Sequence, residues 1–208
     1  FVSVNNPLEM KIYRSQDMRK VKTDKRDSIS IANYGIEKWF TLRPFDCQEG
    51  VYAELKLLGR QYRFFMESRI EHLLNLTHLL DYTMPGIKAC FGGWNESSGK
   101  DKLCDFAEEY WHSDNITKHS ETKFIEHYKR WAKKKGYHQS ESKASQIYQL
   151  AKDGIPTIPS NVQSTKMLVL EAVKALREVN SALFAILTRM QELAKSLPEY
   201  SVVRAMGG

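Results

Sequence analysis

The chain has 208 residues, of which 42% are hydrophobic and 27% are charged, a balance that predicts a globular protein with a buried core and excludes a wholly disordered chain. It carries 31 Lys and Arg against 25 Asp and Glu, an excess that favours an anionic partner without establishing one. No segment approaches the roughly 18 consecutive apolar residues of a membrane span, and no signal-peptide pattern opens the chain, so we expect no membrane partner.

The three cysteines, Cys47, Cys90 and Cys104, are odd in number and form no Cys-x-x-Cys pair. This usage argues against a disulfide framework and indicates a reducing compartment. We therefore expect a cytoplasmic protein.

The sequence at both ends suggests that the chain was cut from a longer protein. Residues 1–4 are typical of a β-strand bounded by Asn5, Asn6 and Pro7, and a strand needs neighbours for its backbone groups. The final pair, Gly207 and Gly208, would more naturally open a loop. We therefore expect an internal piece of a longer protein.

Helical patterns follow this first strand. A short helix is predicted over residues 7–14, followed by a polar, basic connection. Thr23 is typical of a helix N-cap, and the helix that it opens is predicted to run to Tyr34 and to end at Gly35. A much longer helix is predicted over residues 47–82, with residues 84–86 (Met-Pro-Gly) as its stop. Its apolar positions are Val51, Leu55, Leu58, Tyr62, Phe65, Ile70, Leu73, Leu76 and Leu80.

Shorter helices are predicted in the middle of the chain. Gly92, Gly93 and residues 95–100 shift the composition to small and polar side chains, which predicts a loop. Helices then fit residues 102–111, 122–135 and 140–152, before a break at Gly154 to Pro159.

The last helix, over residues 162–197, carries the strongest periodic signal. Its seam alternates steps of four and three, which is the heptad pattern of a coiled coil. The seam consists of Val169, Val173, Leu176, Asn180, Leu183, Leu187, Met190, Ala194 and Leu197. The polar Asn180 can fix the register of such a pair. We expect the seam from Val173 to Met190 to join two chains; the alternative is an antiparallel hairpin with the helix over residues 47–82, with Asn180 at a wet edge.

An acidic pair stands in the basic segment 22–27. Asp24 and Asp27, at i and i+3 near a helix start, lie on one face and could ligate the same hard cation through oxygen. Two-metal sites usually need three or four carboxylates to hold ions about 4 Å apart, so the pair would be half a site. From spacing alone, such an acidic pair is more typical of residues that cap a helix and interact favourably with its dipole.

Three ordered blocks of sequence resemble one protein family. The first joins residues 4–7 (Val-Asn-Asn-Pro) to residues 22–28 (Lys-Thr-Asp-Lys-Arg-Asp-Ser). The second is residues 79–81 with 84–86 and Phe91, and the third runs from residue 190 to the end. Together they cover nearly the whole chain and resemble the DEDD, RuvC-like transposases of bacterial insertion sequences, with Ser28 where the family usually has Ala.

The resemblance implies a fold and a division of the chain. We expect a mainly α protein in which residues 1–45 are the C-terminal part of a RuvC-like α/β catalytic domain. Residues 46–197 would be a region of long coiled-coil helices with inserted short helices, and residues 198–208 the start of a C-terminal transposase domain.

The same resemblance implies an activity. Asp24 and Asp27 would be the third and fourth acidic residues of a tetrad that holds Mg2+ for DNA strand cleavage and rejoining. The other two acidic residues and the catalytic serine of the family would lie outside this chain, so we expect the 208 residues alone to be inactive. The implied partners are DNA, a structured guide RNA and further copies of the chain, in the bacterial cytoplasm.

Two basic clusters are candidates for contact with nucleic-acid phosphates. They are Lys22, Lys25 and Arg26 beside the acidic pair, and Lys129, Arg130, Lys133 and Lys134 in the helix predicted over residues 122–135. Either cluster is also typical of an ordinary solvated surface. Phe124, Tyr128 and Trp131 recur at helical spacing, which indicates a core face rather than a surface for stacking bases.

Two classes of function stay open. The first is a recombinase to which this chain contributes part of a metal site and a helical assembly region. The second is a non-catalytic helical module that dimerises or binds nucleic acid, with Asp24 and Asp27 as capping residues. The carboxylates converge at an open strand edge under the first hypothesis and diverge into solvent under the second.

Overall fold

The computed structural model describes residues 3–15, 23–43 and 50–206, and in these ranges the chain is mainly helical with no β-strand. The helices are α1 (Pro7–Ser15), α2 (Asp24–Glu37), α3 (Val51–Thr83), α4 (Lys102–Glu109), α5 (Asp114–Thr117), α6 (Glu121–Lys135), α7 (Glu141–Asp153), α8 (Gln163–Lys195) and α9 (Tyr200–Met206). Short 3-10 turns lie at Trp39–Thr41 and Ile87–Cys90. The chain forms two compact units, which divide between Gly50 and Val51.

The first unit pairs α1 with α2. Asn6 caps α1, since its Oδ1 accepts a hydrogen bond from the Leu8 amide at 2.9 Å. Tyr34 of α2 is buried, packs edge-on against the Tyr13 ring with centroids 5.2 Å apart, and donates its hydroxyl hydrogen bond to Glu9 at 3.2 Å. These contacts hold the two helices together.

Two predictions for the first unit need correction. Ser3 and Val4 lie outside regular structure, and Phe1 and Val2 lie outside the described residues, so the expected strand and the α/β character are not found. The second helix does not end at Gly35 but continues to Glu37. A glycine inside a helix costs only about 1 kcal/mol, which the continuing hydrogen bonds of α2 offset.

The second unit is built on a long antiparallel hairpin of α3 and α8. Each helix has 33 residues. The Tyr52 hydroxyl donates to Glu199 beyond the end of α8, Arg189 forms an ion pair with Glu54, and Arg69 donates to Asn180 midway. Residue numbers thus rise along α3 as they fall along α8. In the described part of the chain α3 begins at Val51, directly after Gly50, whose φ of +81° is not helical.

The predicted coiled-coil seam faces α3 within the same chain. Val173, Leu176 and Leu183 are almost fully buried, and Leu187 and Met190 are partly exposed. The hairpin alternative is therefore the arrangement found. Asn180, however, is only 2% exposed and does not lie at a wet edge. Pairing between chains through this seam stays a prediction, and the seam already has a partner inside the chain.

The short helices close over one end of the hairpin and complete the core. Their buried aromatic side chains are in contact: Phe106 packs on Phe91 and Tyr110, and Trp131 of α6 meets Phe106 edge-on at 5.8 Å. Leu76 and Leu80 of α3 belong to the same cluster as Val169, Val173 and Leu176 of α8. The core therefore joins the predicted core face of α6 to the hairpin.

A buried charged network lies where α3, α4 and α8 meet. Arg69 is 8% exposed, and its Nε donates to Asn180 Oδ1 at 2.8 Å while its Nη2 donates to Asp101 Oδ2 at 3.3 Å. Asp101 also caps α4, because its Oδ1 accepts from the amides of Leu103 and Cys104. The prediction that Ile70 faces the core is wrong, since Ile70 is 51% exposed and Arg69 takes the inward position.

The predicted helices of the second unit lie within about four residues of their expected bounds, whereas α5 and α9 were not predicted. Among them, α4 ends at Glu109 rather than at Trp111, because Tyr110 and Trp111 leave the helix to enter the aromatic core. Gly86, at φ +76°, belongs to the predicted stop after α3. Over the described ranges, none of the helices combines the length and the apolar character that crossing a bilayer requires.

Candidate metal and nucleic-acid site

The acidic pair occupies the first turn of α2. Thr23 is the N-cap, and its hydroxyl accepts a hydrogen bond from the Arg26 amide at 3.4 Å. Asp24 and Asp27 follow in the first turn, where the exposed amides of a helix favour negative charge. The predicted N-cap and the placement of both carboxylates are therefore found.

The two carboxylates differ in their surroundings. Asp24 is exposed, and its carboxylate has no hydrogen bond or ion pair within the described ranges. Asp27 is half-buried and forms an ion pair through Oδ1 with Arg14 of α1. The sequence did not identify Arg14 as a partner, because the contact depends on how α1 folds back on α2.

The donor atoms fit a hard cation in kind but not in number. Carboxylate oxygens are the ligands that Mg2+ prefers. Asp24 offers two free oxygens and Asp27 offers Oδ2, which Arg14 does not contact. No group of three or more metal-ligating side chains is found in the described part of the chain. The pair could therefore hold an ion only together with further ligands.

The cations beside the pair are free of carboxylate partners as far as the structure describes the chain. Lys25 and Arg26 are exposed on the first turn of α2 and form no ion pair there. Lys22 lies outside the described residues. Cations in this position could hold a phosphate next to the two carboxylates.

The residues of the second predicted basic cluster differ in whether an ion pair compensates their charge. Lys129 forms an ion pair with Glu141 at the start of α7, so its charge is already compensated. Arg130, Lys133 and Lys134 are exposed without such partners among the described residues. The sequence did not show the pairing of Lys129, because it depends on how α6 and α7 pack. Phe124, Tyr128 and Trp131 are buried, as their spacing predicted.

The buried cysteines and histidines form no metal site among the described residues. Cys104 is 1% exposed, and burial raises the pKa of its thiol far above its ordinary value. His112 is equally buried: its Nδ1 accepts from the Asp114 amide at 3.0 Å, and its Nε2 contacts the Ile158 carbonyl oxygen at 2.9 Å. These groups have structural partners. Cys47 lies outside the described residues.

Comparison with known proteins gives one match. No curated protein and no solved structure matches the chain. A family model, DEDD_Tnp_IS110, described as a transposase, matches residues 1–85. This segment contains the acidic pair, its flanking cations and all of α3. Residues 1–85 of the chain are therefore similar to the DEDD transposases of the IS110 type.

Proposed function

We propose that the chain acts in DNA transposition and that Asp24 and Asp27 supply two carboxylates to a divalent metal site for cleavage and rejoining of DNA strands. The observation that carries the proposal is the family match over residues 1–85, because the matched segment includes both carboxylates. The metal, when bound, would activate a nucleophile and neutralise charge at the scissile phosphate.

The surroundings of the pair support this role. Asp24 is exposed at a helix start, so it is accessible to an ion and to a DNA strand. Arg14 holds Oδ1 of Asp27, which fixes the orientation of that carboxylate and leaves its Oδ2 accessible. Lys25 and Arg26 are exposed on the same first turn of α2, where they would position a phosphate. The remaining metal ligands would come from outside the described residues.

The alternative is a non-catalytic helical module in which both aspartates only stabilise α2. The ion pair of Asp27 with Arg14 and the position of both residues in the first turn favour it. A guide RNA partner and self-association stay predictions from the family resemblance. The two functions differ in whether the pair holds a cation.

Binding of Mn2+ as a substitute for Mg2+ tests the proposal on the purified 208-residue chain. At millimolar Mn2+, paramagnetic broadening in NMR spectra should appear at the amides of residues 24–28 in the wild type. It should be lost in Asp24→Asn and Asp27→Asn. Asp153→Asn, which removes an exposed carboxylate at the end of α7, is the matched control and should keep it.

Broadening that persists in Asp24→Asn, or its absence from α2 in the wild type, would contradict the proposal and favour the capping role. Mg2+-dependent DNA nicking by the 208 residues, abolished by Asp24→Ala, would contradict the expectation that this chain alone is inactive while supporting the metal site itself.

A further inference from the structure

One side of α6 carries a continuous row of basic side chains. Lys123, His127, Arg130 and Lys134 follow one another at i, i+4, i+7 and i+11, which places them on the same side of a helix. All four are exposed. We call these four residues the α6 stripe. They lie beside the buried face formed by Phe124, Tyr128 and Trp131.

A histidine pair extends the stripe at its N-terminal end. The rings of His119 and His127 are in contact, with centroids 4.9 Å apart and planes inclined at 49°. His119 is held from α7, because the Tyr148 hydroxyl donates to its carbonyl oxygen at 3.1 Å. Two imidazoles thus stand side by side at one end of a row of cations.

The charges of this region are not compensated within the described part of the chain. None of the stripe residues, nor Lys118 and His119, forms an ion pair there, whereas their neighbours Lys129 and Lys135 do. Glu121 and Glu126 lie on α6 and Glu109 ends α4, and none of these carboxylates forms an ion pair with the stripe. Desolvation and the charges of His127, Lys118 and Lys123 lower the pKa of His119. The positive charges of Lys118 and Lys123, which contribute to this shift, attract anions.

The length of the stripe indicates what kind of anion fits. Eleven residues of helix rise about 16 Å, whereas successive phosphates of a duplex strand rise about 3.4 Å. A single free phosphate would use only one or two of the cations, but a nucleic-acid strand can meet them all. The aromatic side chains of α6 are buried, so the stripe offers no stacking platform for bases.

We infer that the α6 stripe binds the phosphodiester backbone of a nucleic acid independently of sequence, and that the His119–His127 pair takes up a proton when it binds. The inference rests on the proposed function for the identity of the partner as nucleic acid. Its position rests on the geometry alone. A phosphate beside both rings would stabilise their protonated forms, so affinity rises as pH falls.

Binding of a labelled duplex DNA and of an RNA hairpin to the 208-residue chain tests whether the α6 stripe is the binding site. Arg130→Gln/Lys134→Gln removes two charges at i and i+4 from the stripe. Lys56→Gln/Arg60→Gln removes the same two charges at the same spacing from the exposed face of α3, and is the matched control. The stripe variant should lower the salt dependence of log K by about 1.8, at about 0.9 per phosphate contact, and the control should leave it unchanged.

The two ligands identify the source of the phosphates: a loss for duplex DNA assigns the stripe to DNA, and a loss for the RNA hairpin alone assigns it to RNA. Equal losses in the stripe variant and the α3 control would mean that net charge alone governs binding, and would overturn the inference. The inference would also be overturned if the chain bound neither ligand. Mn2+ broadening at α2 would in that case still support the proposed function.

Proton uptake is tested by the pH dependence of the same binding. Wild-type affinity should rise as pH is lowered from about 7.5 to about 6, and this rise should disappear in His119→Asn/His127→Asn. His78→Gln, an exposed histidine of α3, is the control and should keep it. A rise of equal size in the histidine double variant would overturn this half of the inference.

Discussion

Arg69 is a charged side chain in a buried position of α3, next to the position of Ile70 that the sequence pattern assigned to the core. Its guanidinium bridges Asn180 and Asp101, and the carboxylate side chain of Asp101 is only 4% exposed. Trp94 covers the guanidinium at 5.6 Å from its ring centroid. Each member of this network is buried only because the other two satisfy it.

Replacing Arg69 by Met should therefore destabilise the chain by about 3–5 kcal/mol, because it leaves the Asp101 carboxylate buried without its counter-charge. Urea unfolding measures the change. Arg63→Met, on the exposed side of the same helix, should change the free energy of unfolding by less than about 0.5 kcal/mol. Adding Asp101→Asn to Arg69→Met should restore part of the loss; no restoration would show that the charge of Asp101 is not the cause.

Residues whose partners lie far away in the sequence were the least predictable from the sequence. Arg69 lies 111 residues from Asn180 and 32 from Asp101, so no local pattern joins them. The contact of Arg14 with Asp27 and that of His119 with His127 depend in the same way on chain folding. By contrast, the cap at Thr23 and both aspartates of the first turn followed from local chemistry, because a cap acts within three residues.

At the scale of helices, the hairpin of α3 and α8 depends on a narrow apolar strip. Leu76 and Leu80 are fully buried against the core, while Leu74 is 52% exposed on the other side of α3. The period of 3.6 residues predicted both long helices, because each buries one face over nine turns. It did not decide whether the partner of α8 was α3 or another chain, since either would cover the same face.

Leu76→Ala should lower the free energy of unfolding by about 2–5 kcal/mol, because it leaves a cavity between α3 and the core. Leu74→Ala makes the same chemical change two residues away and should cost less than about 0.5 kcal/mol. Thermal and urea denaturation followed by circular dichroism would compare the two. Equal losses would mean that the face around Leu74 is covered by another copy of the chain in solution.

For the whole molecule, the burial of the seam around Asn180 limits which surfaces are available for self-association. Val173, Leu176 and Leu183 are covered by α3, so a second chain could pair with them only if the hairpin opened. An assembly of intact chains would have to use other surfaces, such as the exposed Leu57 and Phe64 side of α3.

Asn180→Asp tests this at the level of the assembly. The new carboxylate would lie beside Asp101, whose Oδ2 is 3.5 Å from Asn180 Nδ2, so the variant should unfold at lower urea concentration. Its molar mass by light scattering should equal that of the wild type at concentrations where both are folded. A folded wild-type dimer that the substitution splits would instead place the seam between chains.

The buried network also restricts how the hairpin can move. A shift of one helix along the other by a single turn would take Asn180 away from Arg69 and leave a guanidinium in an apolar interior, at a cost of several kcal/mol. The two helices therefore do not slide past each other, and the hairpin of 33-residue helices forms one stiff unit about 50 Å long. Rearrangement of the second unit is therefore expected beyond the ends of the hairpin rather than between its two helices.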